Sequence, residues 1–170
     1  MKSDKKPYVI CHMLQSIDGK ITGKFFQETI TQSLSRLYRK MSQEYDADAL
    51  VYGSVTANEI FIYDQSIDLS VFSNQKMEKK DHILLNEKNK WLVVIDPLGS
   101  LAWDNQALTH ERLKDKNVIE VLSENVSDEY LAYLKTIGVS YLFAGKESLS
   151  MKMVLEKLKN ELHVCYKVEE

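Results

Sequence analysis

Four places in the chain set a hydroxyl, a carboxylate or a glycine directly after an apolar run. The stretch HMLQSIDGKITGKF at 12–25 puts Ser16, Asp18 and Gly19 just past the apolar residues from Tyr8 to Leu14. ADALVYG runs into Gly53, Ser54, Val55 and Thr56, NVIEVLSE carries Ser123, and VSYLFAG ends on Gly145. A glycine lets a ligand come close to the main chain, and a helix beginning at Gly53–Thr56 would offer free N–H groups to a phosphate. The plainer readings stand beside these. Asp18-Gly19 is also a common turn dipeptide, and Thr56 is also a residue that caps helices. His12, His82, His110 and His163 lack metal-ligand spacing and read as structural or surface residues. No serine sits in a nucleophile elbow, and neither a Walker lysine motif nor G-x-G-x-x-G occurs. A hydrolase, a P-loop kinase and a standard dinucleotide fold are therefore disfavoured.

The elements that would carry these residues follow from periodicity. KPYVICHML, ADALVYG, KWLVVIDP, NVIEVLSE, VSYLFAG and HVCYKVEE read as six strands. Leu34, Leu37, Tyr38, Met41 and Tyr45 recur at helical spacing, with Thr29 or Thr31 as the cap and the face expected in the core. SVTANEIF begins a second helix, and residues 64–90 are expected to hold a short helix or loop. SDEYLAYLKTIG is a helix capped by Ser127, with acidic residues first, Lys135 late and Gly138 past its end. SMKMVLEKLKNEL is another, with Met153, Val154, Leu158 and Leu162 on its apolar face. Strands apolar throughout, alternating with amphipathic helices, predict a largely parallel α/β sheet covered on both faces. Ligands of such sheets bind at the carboxyl ends of the strands, where Ser16, Gly53, Ser123 and Gly145 fall.

Composition sets the surroundings. The chain has 170 residues, 44% apolar and 28% charged, which suits one domain with a real core. A net charge of −3 shows no footprint for nucleic acid. Cys11 and Cys165 lie far apart in apolar runs and read as buried thiols of a reducing compartment. No apolar run approaches the roughly 18 residues of a membrane span, and no signal peptide is evident. The expectation is a soluble cytoplasmic protein.

PYVICHMLQSIDGKITG resembles the first strand and loop of the riboflavin-biosynthesis reductase domain family, a dihydrofolate reductase-like group, and YDADALVYGSVTANEIF resembles its second signature. The later order, VVID, VLSE, a helix and then KMVLEKLKNELHVCYKVEE, fits as well, so the likeness covers nearly the whole chain. It is to the stand-alone members, since no deaminase domain with zinc-ligand motifs precedes it. The resemblance implies a single dihydrofolate reductase-like domain over 1–170: a three-layer α/β sandwich with a mostly parallel central sheet. It implies hydride transfer from NADPH to a small nitrogenous substrate, in the riboflavin case 5-amino-6-(5-phosphoribosylamino)uracil.

Carried over by residue, the resemblance has Ser16 and Asp18 border the nicotinamide and substrate, with Asp18 the catalytic candidate and Gly19 admitting the cofactor. Gly53, Ser54, Val55 and Thr56 would hold its pyrophosphate, Glu59 would face the substrate, and Ser123 would touch the adenosine portion. Ser54 stands where such sites often carry an arginine for the 2′-phosphate. The family continues past VEE into a glycine-rich turn, a helix and closing strands, so the expectation is a domain truncated at its C-terminus or completed by a partner, with weak NADPH binding by residues 1–170; tight binding would point instead to FAGKES at 143–148 as the phosphate contact. A homodimer is expected, to cover an open sheet edge. The second reading is a non-catalytic nucleotide-binding or assembly remnant of the same fold.

Overall fold

A computed structural model describes residues 6–85 and 87–169. Six strands form one sheet in the order β1-β6-β2-β3-β4-β5. They are β1 (Tyr8–Cys11), β2 (Ala49–Gly53), β3 (Lys90–Ile95), β4 (Lys116–Leu122), β5 (Ser140–Phe143) and β6 (Tyr166–Glu169). Every pairing between named strands is parallel. The chain builds outward from β2 to β5 and then returns to insert β6 between β1 and β2.

The central strands show no polar alternation because both of their faces are covered. On β3, Leu92 and Val94 join one core cluster while Trp91 and Val93 join the other. Helix α4 (Asp128–Ile137), which follows the single-turn α3 (Asn105–Leu108), places Tyr130, Leu131 and Leu134 on the first cluster. Helix α5 (Met151–Glu161) places Val154 and Leu158 on the second, and Leu162 follows them there. Met153, expected on the same face, is exposed instead. The ends of α4 follow its sequence: the Ser127 side chain accepts from the Tyr130 N–H, and Gly138 terminates the helix with φ 74°. The 64–90 segment is mostly loop, with one 3-10 turn at Ser70–Phe72. Within it, His82 exchanges two backbone hydrogen bonds of 2.8 Å with Tyr141, which covers the outer edge of β5.

Helix α1 (Thr29–Glu44) departs from expectation. Its N-cap is Glu28 with no side-chain cap, so neither Thr29 nor Thr31 caps it, and Thr31 is its sole buried residue. Leu34, Leu37 and Met41 are 47%, 53% and 41% exposed, not core. At about 100° per residue, Ile30, Leu34, Leu37 and Met41 share a narrow arc, while Thr31, Tyr38 and Ser42 lie roughly a quarter-turn away. That second side makes the attachment. Tyr38 donates to the His12 carbonyl at 2.9 Å, stacks on the His12 ring at 4.2 Å, and Ser42 Oγ lies 2.9 Å from His12 Nδ1. The helix therefore docks by its polar flank, and the apolar stripe faces outward.

Cys11 and Cys165 are also corrected: both are exposed free thiols. They sit where the sheet ends, Cys11 closing the edge strand β1 and Cys165 just before β6. Among the described residues no helix is long and apolar enough to cross a membrane.

Candidate functional site

The parallel pairing points the carboxyl ends of all six strands the same way, toward one rim of the sheet, and the residues singled out above follow the ends of β1, β2, β4 and β5 in the chain. Past β1, Ser16 N–H donates to the Lys20 carbonyl and Gly19 N–H to the Ser16 carbonyl, both at 2.9 Å. Ser16 Oγ accepts the Lys20 N–H at 2.9 Å and donates to Asp18 Oδ1. Lys20 Nζ reaches Asp18 Oδ2 at 2.7 Å. Gly19 has φ +79°, a conformation that favours glycine, with open space around its Cα. This is a closed, exposed turn. The hydrogen bonds from Lys20 and Ser16 hold the Asp18 carboxyl below the usual range. Asp18 is therefore ionised at neutral pH and acts as an acceptor, not as a proton donor.

Two strands along, Gly53 ends β2 and is the N-cap of α2 (Ser54–Ala57), which continues as a π-helical turn through Ile62. No side chain caps this start, so Thr56 lies inside the helix and is not its cap. Gly53 has ordinary backbone angles, φ −76° and ψ 162°, and nothing within 4 Å of where a Cβ would stand. The fold does not demand glycine there. Val55 is 71% exposed, and Glu59 is exposed on the following turn.

Ser123 sits behind the rim. It is fully buried, its Oγ donates to the Pro97 carbonyl at 2.7 Å, and the Asn125 N–H donates back to it at 3.3 Å. Its hydroxyl ties the end of β4 to the loop after β3. The neighbouring Glu124 N–H donates to the Gly145 carbonyl at 3.0 Å, which joins the ends of β4 and β5.

Gly145 is where the main chain itself requires glycine. Its φ is +149°, and a side chain would run into the Ser148 carbonyl. Ser150 N–H donates to the Ala144 carbonyl at 2.7 Å, and the Ser150 side chain caps α5. This glycine turn thus delivers the start of α5 to the rim. The hollow beside it, about 630 Å³, is lined by Lys79, Lys80, Lys146 and Lys157 together with Asp81 and Glu124. Lys79 pairs with Asp128 at 2.9 Å, Lys80 with Glu78 and Lys157 with Asp81. Lys146 keeps no side-chain partner among the described residues. The sequence reading gave the lysines at 79, 80 and 157 no role, because segments distant in sequence assemble this hollow.

Below the rim lies a carboxyl that sequence reasoning also passed over. Glu120 is fully buried in β4, and burial, followed by the nearby Asp96, pushes it up to about 8. Trp103 Nε1 donates to it, and the Tyr130 hydroxyl lies 2.9 Å from it. Asp96, itself buried, accepts the Ser100 N–H at 2.6 Å. These groups fasten the loop from Asp96 to Asp104 under the rim and present nothing to solvent. Among the described residues no cluster of His, Cys, Asp and Glu could hold a metal ion.

No family model and no curated protein matches the chain. Solved structures do. Over 99% of this chain it is similar to the riboflavin biosynthesis reductase of Saccharomyces cerevisiae, with a TM-score of 0.57 and 17% identity. Over 96% of the chain it is similar to a pyrimidine reductase-like protein of Corynebacterium diphtheriae, with a TM-score of 0.54 and 17% identity. The chain spans 64% of the length of each. These likenesses establish the fold, and it is the dihydrofolate reductase-like α/β sandwich that the sequence resemblance implies.

Proposed function

We propose that this chain is a nicotinamide-dependent reductase of a small nitrogenous substrate, using NADPH, with a pyrimidine such as 5-amino-6-(5-phosphoribosylamino)uracil as the reaction partner. The observation that carries the reading is the rim. On a fold shared with a riboflavin biosynthesis reductase and a pyrimidine reductase-like protein, an ionised carboxylate, an uncapped helix start and a glycine turn follow β1, β2 and β5.

The residues present fit the cofactor. Gly53 leaves open space at a helix start, and Gly145 sets a turn beside four lysines, one of them unpaired. When bound, NADPH supplies the hydride, so the chain's own work is to bind and orient. Gly53 to Thr56 would receive the pyrophosphate through main-chain N–H groups. The Gly145 turn and Lys146 would hold a terminal phosphate, a task that the arginine replaced by Ser54 performs in similar sites. Ser123 supports this end from behind by holding β4 to the Pro97 carbonyl. Asp18, held by Ser16 and Lys20, would accept a hydrogen bond from a substrate amine or hydroxyl, and Glu59 would face the same substrate.

The reading places the protein in the cytoplasm, which two exposed free thiols suit. It also makes it a homodimer, which the position of β1 as an edge strand among the described residues and the exposed stripe of α1 support. That same stripe favours the second reading, a nucleotide-binding or assembly role without turnover. Quenching of protein fluorescence by NADPH, followed by NADPH oxidation on adding the pyrimidine, separates them. Quenching with turnover is expected. Quenching without turnover by any pyrimidine phosphate selects a nucleotide-binding role, and no quenching sinks the reductase reading and leaves assembly alone.

A further inference from the structure

A cavity of about 440 Å³ opens at the opposite end of the sheet, among the amino ends of β2, β3 and β4. Its sides are the last turns of α1 and a 3-10 turn at Glu111–Leu113. We propose that it is a second ligand site, for a planar aromatic group carrying a phosphate, independent of the reductase site at the carboxyl rim.

The floor sets the first half of that chemistry. Tyr52, Phe61, Leu92 and Leu113 line the cavity and belong to the core cluster on this face. The Tyr52 and Phe61 rings lie 6.4 Å apart, and His110 meets Phe61 edge-on at 5.2 Å. These four side chains are 1–4% exposed, so the floor is dry and apolar, and with the half-buried Leu50 it suits the flat face of a ring better than a bare ion.

The rim sets the second half. Five cations line it, against three carboxylates. Each carboxylate already has a lysine: Asp46 holds Lys90, Asp115 holds Lys116 at 2.6 Å, and Glu111 holds Lys114. What remains is Arg39 from α1 and Arg112 from the 3-10 turn, two of the three arginines in the chain. Neither guanidinium has a hydrogen-bond or ion-pair partner among the described residues. The Arg112 main chain is fixed, because its N–H donates to His110 Nδ1 at 3.1 Å and Leu113 beside it is buried. Two unpaired guanidinium forks lining one cavity suit a phosphate, whose several acceptor oxygens can serve both. The volume is that of a small ligand pocket, and a mononucleotide has the required shape and charge. Because one arginine comes from α1 and the other from the turn before β4, a bound phosphate would also fasten α1 to the sheet.

Calorimetry with AMP, adenosine and inorganic phosphate on the full chain tests this. AMP at millimolar concentration is expected to bind saturably, and adenosine and phosphate each far more weakly. Arg39→Gln with Arg112→Gln should weaken AMP by about tenfold or more, as loss of charge-assisted hydrogen bonds does. Both side chains are exposed and unpaired, so the fold should survive. Arg36→Gln, outside the cavity, is the charge control and should change nothing. Hydrogen exchange in residues 39–45 should slow on AMP binding. The proposal is overturned by no saturable AMP binding, by adenosine binding as tightly as AMP, by an unchanged affinity in the double variant, or by an equal loss in Arg36→Gln. NADPH quenching is expected to persist in the double variant, so a failure here and a failure of the reductase reading are distinguishable.

Discussion

The Tyr130 hydroxyl stands 2.9 Å from Glu120 Oε1 and 2.9 Å from the Leu101 carbonyl, and it accepts the Leu101 N–H at 3.1 Å. One phenol thus joins α4, β4 and the loop after β3. A neutral Glu120 suits this arrangement, because it can donate to the phenol while the phenol donates to Leu101. Burial raises the Glu120 pKa from 4.5 to about 8. The native state therefore keeps a proton that the unfolded chain releases above about pH 4.5. The stabilisation is complete below that pH and is lost as pH rises through about 8. At about 1.4 kcal/mol per unit, the loss is on the order of a few kcal/mol. Melting temperature should fall between acid and mildly alkaline pH, and Glu120→Gln should flatten that fall. A variant with the same slope as the parent would show that another group sets it.

How much of this was available from sequence depends on the kind of contact involved. The ends of α4 were, since Ser127 and Gly138 act on groups within a turn of themselves. The buried strands were, since being covered on both faces leaves an unbroken apolar run. The outward stripe of α1 was not. Periodicity reports that Leu34, Leu37 and Met41 share a face, but His12, Tyr38 and Ser42 decide which side docks. Among the candidate site residues, the turn chemistry around Asp18 is local and was readable. The bond from Ser123 to Pro97 spans 26 residues and carries no local signal. Glu120 looked like one polar residue in a strand, and only the closure of Trp103 and Tyr130 over it reveals a buried carboxyl.

Gly53 and Gly145 should answer differently to a side chain. Around Gly53 the space is open and the backbone ordinary, so Gly53→Val should keep its melting temperature and circular dichroism. Its NADPH quenching should weaken by about tenfold or more, since the Cβ fills space the pyrophosphate needs. Gly145→Ala meets the Ser148 carbonyl at a φ that L-residues avoid, and should cost about 1–3 kcal/mol of stability. Full quenching by Gly53→Val would remove this helix start from the cofactor site.

Asp18→Asn tests the carboxylate. The turn keeps its main-chain bonds between Ser16, Gly19 and Lys20 in the variant, and the Asp18–Lys20 pair is exposed, so stability should hold. Turnover of the pyrimidine should drop by about tenfold or more if the charge orients substrate. Because the native carboxyl lies below the usual range, the parent rate should lose its dependence on this group only in acid, below the ordinary carboxylate pKa. An unchanged rate in Asp18→Asn would leave the residue a turn former and nothing more.

The exposed face of α1 bears on assembly. Ile30, Leu34, Leu37 and Met41 follow one another at four, three and four residues, the spacing of a seam between packed helices. Such a row is rarely left in water, because each large apolar side chain buried is worth roughly 1.5–3 kcal/mol. Among the described residues β1 is an edge strand that pairs with β6. In the homodimer proposed above, the α1 of one subunit would lie against that of its partner. Leu34→Glu with Leu37→Glu should then convert a dimer into a monomer in sedimentation equilibrium. Circular dichroism should not change, because neither side chain contributes to the subunit's own core. A parent chain that sediments as a monomer at tens of micromolar, or a charged variant that remains dimeric, would place the subunit contact elsewhere or dispense with it.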